Sequence, residues 1–212
     1  MALKSQFQFL KLDFMLSKSD GIELVKLARQ TVSDYFKTKE IRIKTTKFKQ
    51  KRGVFVSIHN YPDHELRGCI GYPNPTLSLG EALQRASFSA AFQDLRFLPL
   101  SEEELKDVVF EVSILTEPEL IEVKNPKEYL KKIEIGKDGL IMEYNILHNG
   151  LLLPQVATEY GWNVETFLEH LCIKAGLFQN MWKDHNSKIY KFNTQIFTEK
   201  RPNGDIVELK TK

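Results

Sequence analysis

Apolar positions recur at helical spacing in two stretches of the first half of the chain. Between residues 20 and 36 they return every three or four positions, which predicts an amphipathic helix that begins at Asp20, with Glu23 as its capping-box partner. Ser78 and Glu81 form a second capping box ahead of another helical pattern. The sequence therefore predicts two long helices, each with one face available for packing.

Alternation of apolar and polar residues marks the strands. GVFVSIHN (53–60) and ELRGCIG (65–71) flank the turn sequence YPDH, which predicts a β-hairpin. DVVFEVSILTEPEL (107–120) is mostly apolar and predicts a well-buried strand. KIEIGKDGLIMEY (132–144) predicts a further hairpin that turns at Asp138-Gly139.

The second half of the chain mixes both periods. LLLPQVATEYG (151–161) and NVETFLEHLCIKAGL (163–177) predict helices that end at Gly161 and Gly176, and SKIYKFNTQIF (187–197) restores strand alternation. Since helices and strands interleave without a regular repeat, the sequence predicts an α+β fold in which a mixed β-sheet packs with helices. We expect a single domain, and its proline-bearing and polar connections indicate two lobes.

The overall composition says little about which partner the protein binds. The 212 residues include 30 basic and 28 acidic side chains, so the net charge of +2 favours no class of partner. Two cysteines are too few for a disulfide framework, which predicts a reducing, cytoplasmic location. Charges and prolines interrupt every apolar stretch before it reaches about 20 residues, so no membrane partner is predicted.

The first hairpin gathers reactive side chains on one face. Alternation places Arg67 and Cys69 on the same side of the returning strand, and register parity places Ser57 and His59 beside them. A guanidinium next to a thiol lowers the thiol pKa and favours the thiolate, which is the nucleophilic form. Cys69 and Arg67 are therefore candidate catalytic residues.

Gly68 and Gly71 flank Cys69 and remove side-chain bulk, so that a ligand or another backbone can approach closely. They are candidate ligand-binding residues. The alternative is a structural hairpin, because free cysteine is among the most buried residue types and glycines in strands mark bulges or tight packing. His59 and His64 are equivalent candidates for a base to the thiol, so spacing selects neither.

Three further charged residues are candidates for ligand binding. Asp94 and Arg96 follow the second helix, where they offer an acid and a base to a ligand or form an ion pair at the helix end. Glu111 interrupts an apolar strand, and an inward carboxylate requires a partner, for which Arg67 or Arg96 is suitable. The alternative role of such a pair is to hold the two lobes in register.

A basic segment, KTKEIRIKTTKFKQKR (37–52), carries eight basic residues against one acid. Lys44, Lys47 and Lys49 are candidates for phosphate contacts, and Phe48 is available to stack on a base, which makes nucleic-acid binding the alternative function. A solvated connection, or an edge strand protected by lysines, explains the segment equally well. The histidines lack metal-ligand spacing and no phosphate-binding loop is present, so no metal or cofactor is predicted.

LRGCIG (66–71) resembles the signature of the AMMECR family. The resemblance covers about residues 53–197 and includes QDLRFLPLSEEEL, EVSILTEPELI, IEIGKDGLIM, GLLLPQVATEYGW and FLEHLCIKAGL in the family's order. It implies a two-lobed α+β domain with the hexapeptide near a cleft between the lobes, and it implies no particular reaction, substrate or cofactor. The matching signature positions are 66–71, Asp94, Arg96, Phe97, Leu153, Pro154 and Trp162.

Two functional hypotheses follow. The first is a cleft around Arg67 and Cys69 that binds or transforms a small polar ligand. The second is a non-enzymatic binding or scaffold module that associates with nucleic acid through the basic segment 37–52.

Overall fold

Helices and strands alternate irregularly along the part of the chain that the computed structural model describes, residues 15–209. In chain order the elements are α1 (Lys18–Thr38), β1 (Val54–Asn60), β2 (Leu66–Tyr72), α2 (Leu79–Phe92), β3 (Val108–Leu115), β4 (Glu119–Leu120), α3 (Tyr129–Lys132), β5 (Gly139–Glu143), β6 (Asn149–Leu152), α4 (Pro154–Glu159), α5 (Val164–Lys174), β7 (Lys188–Phe192), β8 (Thr194–Glu199) and β9 (Ile206–Leu209). Short 3-10 helices add Glu103–Lys106, Pro126–Glu128 and Gln179–Lys183. The predicted α+β class is confirmed.

The strands are divided between two sheets. One has the order β2-β1-β3-β8-β9 and the other the order β4-β7-β5-β6. β1 runs antiparallel to both β2 and β3, and β5 runs antiparallel to both β6 and β7. The chain forms two compact units, whose described residues are 15–116 with 195–209, and 117–194. Within residues 15–209, no helix combines the length and apolarity that a bilayer crossing requires.

α1 begins earlier than the sequence pattern predicts. Ser17 is the N-cap, and its hydroxyl accepts a hydrogen bond from the backbone N–H of Asp20 at 3.1 Å. Asp20 consequently lies in the first turn, where a carboxylate interacts favourably with the helix dipole. Glu23 does not close a capping box, since its carboxylate pairs with Lys47. Ser78 is the N-cap of α2 as predicted, since its hydroxyl accepts from the Glu81 N–H, but the Glu81 carboxylate pairs with Arg85 and does not close the capping box.

The predicted hairpin around Asp138-Gly139 is wrong. Only the second half of that stretch, β5, is a strand, and it pairs with β6 and β7. The Asp138 carboxylate accepts a hydrogen bond from the Glu134 N–H at 2.8 Å and another from the Asn193 side-chain amide at 3.0 Å. Those bonds fold the residues before β5 into a local turn, which removes them from strand pairing.

α1 and α2 cover one face of the five-stranded sheet. The alternate residues of β1 that point to this face share one fully buried cluster with both helices, including Val54, Val56, Ile58, Leu24 and Leu83. Each such side chain contributes about 1.5–3 kcal/mol when it is fully buried. The intervening positions of β1, β2 and β3 consequently point away from these helices.

A buried ion pair joins α1 to β3 and β8. Arg29 donates from Nε to Glu199 at 2.7 Å and from its terminal nitrogens to the carbonyls of Leu105 and Val108. Glu199 also accepts the backbone N–H of Phe110 at 2.9 Å. The Arg29 and Glu199 side chains are only 9% and 3% exposed, so removal of either partner would cost about 3–5 kcal/mol.

β2 lies against the last turn of α2. A Cβ atom built at Gly68 would lie 2.2 Å from the carbonyl oxygen of Ala90. Ala86, Ala90 and Ala91 are buried on this side of the helix, and their small side chains allow the close approach. The group that approaches Gly68 closely is therefore the backbone of α2, which belongs to the same compact unit.

The second unit has its own core beneath the four-stranded sheet's central strands. Phe167, Leu168, Leu171 and Cys172 of α5 are fully buried in one cluster with Trp182. The glycines predicted to end α4 and α5 have positive φ angles of 65° and 74°, which confirms their role as helix terminators.

We expect Gly68→Ala to destabilise the chain more than Gly71→Ala. The new methyl group at Gly68 meets backbone, which cannot rotate away, whereas at Gly71 it meets the movable ring of Phe55. Overpacking of this kind costs roughly 1–3 kcal/mol, and Gly68→Ala should lie at the upper end. Urea unfolding of both variants measures the difference, and an equal or smaller loss for Gly68→Ala would contradict the contact with Ala90.

Candidate functional site

Cys69, Ser57 and Glu111 form a row across three strands, here called the polar row. Ser57 of β1 lies opposite Cys69 of β2 on one side and opposite Glu111 of β3 on the other. Residues directly opposite in antiparallel strands have Cβ atoms about 4.5–5.5 Å apart, so the three side chains are neighbours on the face that points away from α1 and α2. The Ser57 hydroxyl lies 3.2 Å from the Cys69 Sγ and donates to it. The predicted shared face of Ser57 and Cys69 is confirmed.

Arg67 does not pair with Cys69. The register of β1 with β2 shifts after Ile58, which makes Arg67 the extra residue of a β-bulge and breaks the parity argument at that point. The Arg67 guanidinium donates two hydrogen bonds to the Glu104 carboxylate, at 2.8 and 3.2 Å. These bonds hold the pKa of Glu104 below its ordinary value. The predicted activation of the thiol by Arg67 is therefore wrong.

Asp94 and Arg96 bind both backbone groups of Cys69; we call this pair the edge clamp. Asp94 accepts the Cys69 N–H at 2.9 Å, and the Arg96 Nη2 donates to the Cys69 carbonyl oxygen at 3.1 Å. The two side chains also pair with each other, at 2.7 Å. Because β2 is an edge strand, Cys69 has no strand partner on this side, and the edge clamp supplies one.

The edge clamp has a strong electrostatic basis. The Asp94 side chain is only 5% exposed, and the hydrogen bonds from Arg96 hold the pKa of its carboxyl well below its ordinary range. Of the two roles predicted for Asp94 and Arg96, the structure shows the ion pair at the helix end, with the backbone of Cys69 as its third member.

The Cys69 thiol is neutral at pH 7. Burial raises its pKa, and the Ser57 hydrogen bond and the Arg96 charge offset only part of that effect. The one side-chain hydrogen bond described for Cys69 comes from a hydroxyl, not from an imidazole. The thiol consequently has neither a lowered pKa nor an adjacent base, which are the two usual routes to a nucleophilic cysteine.

Glu111 is a half-buried carboxyl without a counter-charge in contact. The predicted partners are engaged elsewhere, Arg67 with Glu104 and Arg96 with Asp94, so the predicted pairing of Glu111 with either arginine is wrong. Among residues 15–209, no side chain forms a hydrogen bond or an ion pair with Glu111. Burial raises the pKa of its carboxyl, and the nearby charge of His64 offsets this only in part.

His59 carries a second unpartnered acceptor on the same face. Its pairing with β3 continues that of Ser57 without interruption, so His59 lies one strand repeat further along. Its Nδ1 is 3.2 Å from the His64 carbonyl oxygen, which assigns the ring proton to Nδ1. The Nε2 atom is buried and has no hydrogen-bond partner within the described residues. Burial also lowers the pKa of His59.

Phe55 lies next to the polar row. It is opposite Gly71 on β2 and Ser113 on β3, and a Cβ atom at Gly71 would lie 2.1 Å from its ring. Gly71 therefore makes room for an aromatic ring of the protein itself. The ring gives the polar row an apolar border.

The basic segment 37–52 begins in the last turn of α1, and its residues 39–52 form a connection with no strand. Lys44 and Lys47 form ion pairs with carboxylates of α1, whereas Lys49 has no ion-pair partner in the part of the chain described. Phe48 is 2% exposed and belongs to the core of the first unit, so the prediction that it is available for stacking is wrong. The structure does not bring the three lysines together with an exposed aromatic ring.

Comparison with known proteins places the chain in a family. The model of the AMMECR1 family matches residues 25–197. The chain belongs to the AMMECR1 family. One relative, a protein of Methanocaldococcus jannaschii, is 52% identical over 198 residues, which cover 92% of this chain and 98% of the relative. Another, from Aquifex aeolicus, is 46% identical over 194 residues, with 90% and 98% covered.

A solved structure of similar sequence has the same fold. The crystal structure of an uncharacterized protein from Pyrococcus horikoshii matches with a TM-score of 0.82 and 43% identity, covering 92% of this chain and 98% of that one. The resemblance of this chain to the AMMECR family is therefore confirmed by sequence and by structure.

Sequence reasoning missed Glu104 as the partner of Arg67. The signal that marks Glu104 locally is the Ser101–Glu104 capping pattern, which the structure shows as reciprocal backbone hydrogen bonds. Nothing in a local pattern indicates that the same carboxylate reaches an arginine 37 residues earlier in the chain.

Asp94→Asn should lower the free energy of unfolding by about 1–3 kcal/mol at pH 7, since it weakens charge-assisted bonds to Arg96 and to the Cys69 N–H. The folded-state pKa of Asp94 lies below its unfolded value of about 3.9, so its contribution is complete above that pH and is lost as the pH falls further. Unfolding at pH 7, 5 and 3 measures the effect, with Asp205→Asn as an exposed control. If the difference in free energy of unfolding between the parent chain and Asp94→Asn increased as the pH fell, the hydrogen bonds of the edge clamp would be contradicted.

Cys69 should react slowly with iodoacetamide at pH 7 and faster only above the pH at which an ordinary cysteine titrates. Cys172, whose pKa burial raises to about 11, is an internal control that should react more slowly still. Ser57→Ala should shift the Cys69 profile to higher pH, because it removes the hydrogen bond that favours the thiolate. Mass spectrometry follows each cysteine separately, and a Cys69 midpoint below about 8 would restore the nucleophile hypothesis.

Proposed function

We propose that the face carrying the polar row binds a small polar ligand without covalent chemistry. The observation that supports this most directly is the buried His59 Nε2, which has no hydrogen-bond partner within the described residues and shares that face with the half-buried Glu111 carboxyl. Buried polar groups in native proteins are nearly always paired, and exceptions call for an explanation such as a missing ligand. A bound ligand supplies the hydrogen bonds that the protein leaves open.

The supporting strands are held firmly enough for specific binding. The edge clamp fixes the backbone of Cys69, and the Gly68 contact fixes β2 against α2. The central strand β1 is paired on both sides. Side chains on such a scaffold lose little conformational freedom when a ligand binds, which increases affinity.

In this proposal the candidate residues have different tasks. Glu111 contacts the ligand, while Cys69 and Ser57 line the site next to it. Asp94, Arg96 and Gly68 position β2. Arg67 acts through its bond with Glu104, which secures the bulge.

Ligand protection of Cys69 from alkylation at pH 9 tests the proposal. A fragment library of cationic, neutral and anionic compounds should contain members that slow alkylation of Cys69 several-fold in a saturable manner and leave Cys172 unaffected. Glu111→Gln should weaken that protection, and the exposed matched control Glu119→Gln should not. Failure of every charge class to protect Cys69 at millimolar concentration would overturn the proposal.

A further inference from the structure

We infer that the ligand of the polar row is a small organic cation with N–H donors, either a primary ammonium or a guanidinium. This inference rests on the proposed function and specifies its ligand. Two properties of this face support the inference. The first is the set of hydrogen-bonding groups that have no partner within the protein, and the second is the charge of those groups.

The groups that remain are mainly acceptors, since the neutral Cys69 thiol offers only a weak S–H donor. The Ser57 hydroxyl donates its hydrogen bond to the Cys69 sulfur, so its oxygen is left as an acceptor. With the His59 ring proton on Nδ1, the Nε2 atom is an acceptor as well. Glu111 adds two carboxyl oxygens. A ligand for this face must therefore donate hydrogen bonds.

Within residues 15–209, no cationic side chain forms an ion pair with Glu111. Arg67 and Arg96 are bound to Glu104 and Asp94, and neither contacts Glu111. His64 is the one basic residue with an appreciable electrostatic effect on Glu111 among those described, and it makes no hydrogen bond to it. A half-buried carboxylate is costly without a counter-charge, and an ammonium or guanidinium supplies both the charge and the donors.

Other ligand classes fit less well. An anion would be repelled by Glu111, and the guanidinium groups of Arg67 and Arg96 are already paired with Glu104 and Asp94. A divalent metal ion needs several ligand atoms in one place, and within residues 15–209 no group of three His, Cys, Asp or Glu side chains is arranged to hold one.

The dimensions of the face favour a ligand of a few heavy atoms. His59 and Glu111 lie on adjacent strands, offset by two residues, which corresponds to about 7–8 Å between their Cα atoms. One N–H group directed to Glu111 and a second donor directed to His59 span that distance. The Phe55 ring, on the other side of Ser57, lies over Gly71 and provides apolar surface for the carbon part of the ligand.

Four probes of similar size test the inference on the full chain. Ethanolamine has a positive charge and N–H donors, choline has the charge without N–H groups, ethylene glycol is neutral and glycolate is negative. Titrations followed by backbone amide chemical shifts should show saturable changes at Ser57, Cys69 and Glu111. We expect ethanolamine to bind at least ten-fold more tightly than each of the other three.

Variants assign the effect to Glu111. Glu111→Gln should weaken ethanolamine binding at least ten-fold, whereas the exposed control Glu119→Gln should change it less than about three-fold. Thermal unfolding of Glu111→Gln provides a separate readout. Its Tm should equal or exceed that of the parent chain, since the substitution removes a charge that lacks a partner.

Several results would overturn the inference. Tighter binding of glycolate or ethylene glycol at these residues would reject the cation while supporting the proposed function. Equal binding of choline and ethanolamine would reject the requirement for N–H donors, and unchanged binding by Glu111→Gln would reject the assigned contact. Absence of binding by all four probes also overturns the inference. If neutral or anionic fragments still protected Cys69 in that case, the proposed function would be retained and only the cationic ligand would be rejected.

Discussion

The close approach of β2 to the last turn of α2 governs the rest of this site. Gly68 allows the strand backbone to lie against the Ala90 carbonyl, and the loop that follows the helix then brings Asp94 and Arg96 to the outer edge of the strand. Both side chains bind the backbone of Cys69. A larger residue at Gly68 would separate strand from helix, and the edge clamp would lose its target.

This constraint changes the meaning of the hexapeptide LRGCIG. Its arginine secures a bulge through Glu104, its first glycine admits α2, and its second glycine admits the ring of Phe55. The cysteine contributes its backbone to the edge clamp and its neutral thiol to the polar row. The motif therefore acts mainly as a structural unit that holds one face of the sheet in place, and the chemically distinctive group on that face is Glu111, on a different strand.

Features that depend on residues close together in the sequence could be predicted from local patterns. The shared face of Ser57 and Cys69 follows from the two-residue period of strands, and the cap of α2 follows from the spacing of Ser78 and Glu81. Parity failed at Arg67, because a bulge inserts a residue and the sequence does not mark its place.

Ion pairs between residues far apart in the sequence could not be predicted for a related reason. The sequence indicates that a carboxylate in an apolar strand such as Glu111 needs a partner, but the identity of that partner depends on tertiary geometry. Arg67 and Arg96 were both suitable by charge, and both are taken by other acids. That neither arginine reaches Glu111 is consequently visible only in the folded chain.

The most direct test of this account is the titration of the Glu111 carboxyl, followed by carbon-13 NMR in protein labelled at glutamate and assigned by comparison with Glu111→Gln. The pKa should lie above the ordinary value for glutamate in the free protein, because the effect of burial exceeds that of the His64 charge. Saturating ethanolamine should lower that pKa. A pKa at or below the ordinary value in the free protein would show that Glu111 already has a positive partner, and the account would be wrong.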